Sequence, residues 1–311
     1  MIKKIATFII LTSLSNCFIY GKENPTPPPY YFLEDCDACG CSANGGSMGF
    51  NSLLNEHFVG IRYIHQNYKS RDGVFNNSPW IEENFNTFQI WGRIPVSEKV
   101  EVMALLPYHF NTREKPIGKQ YSNGVGDISL IGFYTALKQD KEDFGQKLQL
   151  GAGVKIPTGK YDAMNNGSVN PSFQLGTGSW DYSILAEHSL KFRNWGWNTN
   201  LNYILKTENT KKYRFGNQIN YAGTLYYTAK IKDFSLVPQL GIAGEVYDAN
   251  KDFGEKIPLT SGNIILGKMG MELGYKRLSF GLNMMLPIHQ NLTGGRVKAN
   301  HRFAVSFNYN L

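Results

Sequence analysis

The residues best suited to chemistry stand near the N-terminus, in "EDCDACGCSANGG", where Cys36, Cys39 and Cys41 form a C-x2-C-x-C run. Three thiolates on a glycine-rich stretch are soft donors that suit Cu(I) or Zn²⁺. A closed zinc site needs one ligand more, whereas Cu(I) accepts two or three. In an oxidising compartment the same run reads equally well as one disulfide with a thiol left over. Metal handling and a redox role therefore stand side by side at Cys36, Cys39 and Cys41.

Other reactive types are thinly spread. The histidines are His57, His65, His109, His188, His289 and His301, and none falls into H-E-x-x-H or another compact metal spacing. Loop or girdle positions are expected for them. Ser183, His188 and Ser189 share one stretch, but neighbouring strand residues face opposite ways, and no G-x-S-x-G is present. Met269, Met271, Met284 and Met285 are expected to pack against lipid rather than bind copper. No glycine-rich phosphate loop leads from a strand into a helix. An enzyme is the weaker alternative.

The elements that would carry these residues begin with "MIKKIATFIILTSLSNCFIYGKE", two lysines followed by an apolar run and then small and polar residues. That pattern is a secretory signal over residues 1–21. A lipoprotein signal acylated at Cys17 is the competing reading, although Asn16 fits it poorly. A proline-rich and cysteine-bearing segment follows over 22–55, in the periplasm or folded as a plug. No other run approaches the ~18 apolar residues of a membrane helix. A membrane form of this chain must cross with strands.

Composition agrees. Aromatics reach 14%, charged residues only 18%, and glycine is abundant at 32 residues. The mean hydropathy of −0.32 does not oppose a barrel, because lumen residues dilute the lipid-facing ones. The net charge of +7 is scattered, with no aromatic-interleaved basic patch, so nucleic acid is not an expected partner.

From residue 56 onward the sequence alternates with period two. In "KLQLGAGVKI", Leu148, Leu150, Ala152, Val154 and Ile156 oppose Lys147, Gln149, Gly151, Gly153 and Lys155. About twelve such strands are expected, among them 98–111, 124–138, 214–230 and 299–311. Short connections such as Lys232-Asp233 and Lys276-Arg277 alternate with long polar ones around 67–79, 111–123, 159–178 and 248–261; only "KQDKEDFGQ" interrupts the series. Sorting of this kind marks a transmembrane antiparallel β-barrel, closed, with turns on one rim and loops on the other. The polar parity then lines a polar lumen with Arg62, Arg93, Glu101, Lys155, Asp181, Glu187, Glu245, Lys268 and Glu272. A soluble secreted β-sandwich that binds a ligand is the rival architecture.

Four stretches carry a resemblance: "ALLPYHF" (Ala104–Phe110), "GVGDISLIGFYTAL" (Gly124–Leu137), "LQLGAGVKIPTG" (Leu148–Gly159) and "PSFQLGTGSWDY" (Pro171–Tyr182). In this order they resemble the outer-membrane barrel family named after the MetA pathway of phenol degradation, many of whose members are described only as candidate transporters. The resemblance covers roughly Phe58 to Leu311. It implies a bacterial outer-membrane barrel passing small, often hydrophobic molecules; the cysteine segment departs from the family pattern. The expectation is a barrel over 56–311 in the outer membrane, both termini periplasmic, acting as a passive channel for small uncharged or amphipathic solutes. Its partners are outer-membrane lipid, those solutes and the barrel-assembly machinery that inserts it. No cofactor is required; Cu(I) or Zn²⁺ at the cysteines is the one candidate.

Overall fold

The computed structural model describes residues 52–71, 78–115, 118–162 and 173–311. The expected signal over 1–21 and Cys36, Cys39 and Cys41 lie outside the described residues. The strands are β1 (Phe58–Arg71), β2 (Trp80–Pro95), β3 (Val100–Lys115), β4 (Gly118–Val125), β5 (Ile128–Asp140), β6 (Phe144–Ile156), β7 (Asp181–Phe192), β8 (Trp195–Leu205) and β9 (Tyr213–Arg214). They continue with β10 (Gln218–Tyr227), β11 (Ala229–Ile231), β12 (Phe234–Tyr247), β13 (Lys251–Asp252), β14 (Glu255–Lys256), β15 (Gly262–Tyr275), β16 (Leu278–Leu292) and β17 (Val297–Asn310).

Hydrogen bonding runs without an edge around the order β10-β8-β7-β6-β5-β3-β2-β1-β17-β16-β15-β12, and β12 returns to β10. Fourteen segments form this sheet; β4 prolongs β5 and β11 prolongs β10, which leaves twelve positions in a closed antiparallel barrel. The first and last strands meet along thirteen residue pairs, beginning at Phe58 opposite Asn310. Closure satisfies every strand's backbone on both sides, the condition for crossing hydrocarbon with strands. A two-sheet sandwich is thereby ruled out.

The two-residue period places its faces as read. On β6, Leu150 is 51% exposed and points outward, while Gln149 and Lys155 are buried inside. Ile184, Leu201, Leu240, Met269, Phe280 and Phe307 continue an exposed apolar belt around the ring. Water would meet this belt at a cost of ~25 cal/mol per Å², summed over most of the barrel's circumference; hydrocarbon removes it. Met284 joins the belt, but Met285 is 1% exposed and points inward, so the expected lipid packing holds for only one of that pair. A Leu150→Arg variant, charged at the middle of β6, is expected to lose about 2–4 kcal/mol of barrel stability, read as a lower urea midpoint in lipid vesicles.

Turn geometry explains the short connections. Arg193, Lys232 and Lys276 each open a two-residue turn with φ near +50°, the handedness that matches the twist of hairpin strands. "KQDKEDFGQ" is mostly strand: β5 runs to Asp140, β6 starts at Phe144, and Lys141 N–H bonds the Phe144 carbonyl at 2.8 Å. Two expected loops also shrink. β3 extends to Lys115 and pairs with β4 as far as Gly118, so 111–123 is a hairpin projecting past the belt. Polar residues there misread as loop, because a ladder outside hydrocarbon needs no apolar face. At 248–261 the short strands β13 and β14 join β9 in a small separate sheet. The expected strand 214–230 breaks at Gly216, where a side chain would strike the Asp248 carbonyl.

Candidate functional site in the barrel interior

Three of the family-like stretches converge on one buried carboxylate near the rim opposite the chain termini. Asp127, in the break between β4 and β5, accepts the Gly159 N–H at 2.9 Å and the Thr177 N–H at 2.9 Å. It also accepts the Thr177 hydroxyl at 3.1 Å and the Lys155 ammonium at 2.8 Å. Thr158 completes the clamp, donating its hydroxyl to the Gly126 carbonyl at 2.7 Å. The glycines are dictated by closeness: a Cβ on Gly176 would lie 2.4 Å from the Asp127 carboxylate, and one on Gly126 would strike His109. Lys155 lies between Asp127 and Asp181, at 2.8 and 2.7 Å, and Lys206 approaches Asp181 at 3.5 Å.

This clamp fixes both described ends of the β6–β7 connection against the barrel wall. Phe173, fully buried, reaches Phe85 edge-on at 6.1 Å between ring centroids, and Phe85 meets Tyr68 at 5.6 Å. Beside them Arg302 grips Glu245 with both terminal nitrogens, at 2.7 and 3.0 Å, and donates its Nε to the Tyr68 hydroxyl at 2.9 Å. One arginine thus ties β17, β12 and β1 across the interior.

A second constellation lies towards the terminal rim. Arg93 on β2 donates to Glu101 at 2.6 Å, to Glu187 at 2.8 Å and to the Gln149 amide oxygen at 2.8 Å. Its guanidinium rests 4.2 Å from the centroid of Phe133. Glu101 takes a further bond from Lys147 at 2.8 Å. Glu187 is on β7, four positions round the ring from β2, so this pairing reaches into the lumen rather than along the wall.

The remaining expected lumen residues are also inside. Arg62 stacks on Trp91 at 4.2 Å and donates to Gln89; Lys268 donates to the Thr224 hydroxyl at 3.1 Å. Glu272 receives a segment of the chain itself, accepting the Ser52 hydroxyl at 2.5 Å and the Leu53 and Leu54 N–H groups at 2.7 and 3.3 Å. All nine side chains are therefore on the inner face, but held by partners rather than free in water. The inner wall also carries two apolar clusters, one around Tyr68, Phe85 and Phe173 and one around Phe58, Trp91 and Phe133. Asp127 and Arg302 are equally central and escaped the sequence reading, although Asp127 lies inside a quoted stretch; Lys147, on the polar parity of β6, is central as well.

Ser183 and Ser189 face inward while His188 faces outward, bonding Gln146 at 3.0 Å. His109 is buried against the Thr87 hydroxyl at 2.8 Å. Ligand atoms of Glu56, His57 and Glu101 lie within 4.8 Å of one another, a metal-like spacing, but Lys147 already pairs with both carboxylates. Burial pushes the Glu56 carboxyl upward, and the hydrogen bond and charge of Lys147, with the charges of Lys138 and His57, together outweigh it, leaving the group below its ordinary range.

Comparison with known proteins bears on this arrangement. Residues 83–263, more than half of the chain, match the family described as "Putative MetA-pathway of phenol degradation". No curated protein matches. Among solved structures, an outer membrane channel from Pseudomonas putida F1 superposes with a TM-score of 0.61 at 12% identity, covering 84% of this chain and 97% of that one. The β domain of the Bordetella autotransporter BrkA gives 0.51 at 8% identity, covering 82% and 99%. At these identities the likeness is one of fold.

Proposed function

Because the chain belongs to the MetA-pathway phenol-degradation family, we propose that it is a passive outer-membrane channel for small uncharged or amphipathic solutes. The carrying observation is the interior: cations and anions neutralise one another in the Arg93, Lys155 and Arg302 constellations, leaving hydroxyls, amides and aromatic faces to line the way. Aromatic faces with scattered polar groups suit amphipathic solutes, and paired charges create no strong single-sign field. The superposed outer membrane channel supports the same reading. Both ends of the barrel chain lie at the short-turn rim, which the proposal assigns to the periplasm. Proteoliposomes should take up a small neutral aromatic alcohol well above protein-free vesicles; equal rates would count against a channel.

The cysteine run extends the proposal. Cys36, Cys39 and Cys41 would bind Cu(I) or Zn²⁺ on the periplasmic side. Titration of the folded full chain with Cu(I) should show one tight equivalent that a Cys36→Ser, Cys39→Ser, Cys41→Ser variant loses. Equal, weak uptake by both would end the metal reading.

A further inference from the structure

The outer face changes character along β1 and β17. Near the terminal rim it is apolar, with Val59, Ile61 and Phe307 exposed. Further along, amides replace hydrocarbon: Asn67, itself buried, donates to Asn84 at 2.7 Å and to Glu82 at 2.8 Å and accepts from Asn300 at 2.5 Å, while Asn84 and Asn300 are half-buried. Two residues beyond, Lys69 and Lys298 stand opposite each other in the β1–β17 register, both exposed. Like charges so placed repel. Among the described residues neither has a carboxylate within 4.0 Å, and Glu82, the register neighbour of Lys69 on β2, is engaged by Asn67. Trp80 adds a platform, with the Arg71 guanidinium 4.8 Å and the Lys298 ammonium 5.1 Å from its ring centroid.

From this juxtaposition we infer that the outward face of β1 and β17 binds a phosphorylated glycolipid of the outer leaflet, its phosphate between Lys69 and Lys298 and its sugar against Trp80 and the asparagines. The parts match in charge, chemistry and level. A phosphate converts a repelling lysine pair into two charge-assisted contacts. The half-buried amides of Asn84 and Asn300 offer donors and acceptors to sugar hydroxyls, and an indole ring gives a sugar an apolar face beside a polar edge. The site lies just past the apolar belt, where a headgroup begins. Beside Lys69, on the β2–β3 side, a cleft of about 360 Å³ is lined by Lys69, Trp80, Glu82, Glu114 and Lys115.

The inference rests on the outer-membrane placement proposed above, and the test separates the two. Full chain is refolded in detergent, and heat-modifiable gel mobility reports the barrel independently of lipid. Native mass spectrometry then measures binding of bis-phosphorylated lipid A, of the same lipid without phosphates, and competition by inorganic phosphate. Lys69→Gln with Lys298→Gln is expected to weaken lipid binding about tenfold, a difference of ~1.4 kcal/mol. The dephosphorylated lipid should bind as weakly to the parent protein. A control pair at the other rim, Lys230→Gln with Lys232→Gln, should bind as the parent does. Should the double variant not fold, Lys69→Gln alone carries the comparison. Unchanged affinity in the variant, equal binding of the dephosphorylated lipid, or full displacement by millimolar phosphate would each overturn the inference. Loss of the heat-modifiable form in the parent would instead strike at the barrel channel itself.

Discussion

Asp127→Ala should release the β6–β7 connection from the barrel wall and lower stability by about 3 kcal/mol. The carboxylate accepts four hydrogen bonds, two of them from backbone N–H groups that have no other partner among the described residues. Bonds to a charged group contribute ~1.5–3 kcal/mol each and are not additive, so the figure is a fraction of their sum. Lys155 keeps Asp181 and is not orphaned. The loss therefore falls on the loop ends at Gly159 and Thr177. Hydrogen exchange should show their amides exchanging faster, while amides in β12 and β15 keep their protection. Asp127→Asn keeps one acceptor oxygen and should fall between. Unaltered protection in the alanine variant would contradict the clamp.

Arg93→Ala should have the largest effect on permeation. Removing the arginine takes the shared cation from between Glu101 and Glu187, while Lys147 and His57 stay beside Glu101. Breaking a buried ion pair by deleting one partner costs about 3–5 kcal/mol, and here both carboxylates are largely shielded from water. The electrostatic outcome is directional: a net negative constriction should favour cations, read as a shift of reversal potential under a salt gradient. Arg93→Lys keeps the charge but loses the three-way fork, so selectivity should hold while stability drops. A neutral reversal potential in Arg93→Ala would show that this constellation does not border the path.

Much of the barrel was legible in the sequence because its physics is local. Leu148 to Ile156 declares its outward face through alternation alone, and the turns at Arg193, Lys232 and Lys276 are short enough to count. The interior was legible only in part. Arg93 and Glu187 are 94 residues apart and meet because the ring curves, a fact no spacing along the chain contains. Arg302 escaped for the same reason. Trp91 and Phe133 sit on the inner parity of strands whose outer parity is also apolar, so composition could not assign them a face. Asp127 was visible as part of a family-like stretch, yet its role appears only once Gly159 and Thr177 fold back over it. The extended β3–β4 hairpin was hidden because polar strands outside a bilayer resemble loops.

A weakly selective passage through a closed ring of twelve strands must conduct ions across a membrane. Planar-bilayer recording of the refolded full chain tests it most directly. Discrete, ohmic steps with a reversal potential close to zero under a tenfold potassium chloride gradient are predicted. A chain that shows heat-modifiable mobility and inserts into the bilayer, yet adds no current in salt and none of the neutral-solute flux, would contradict it.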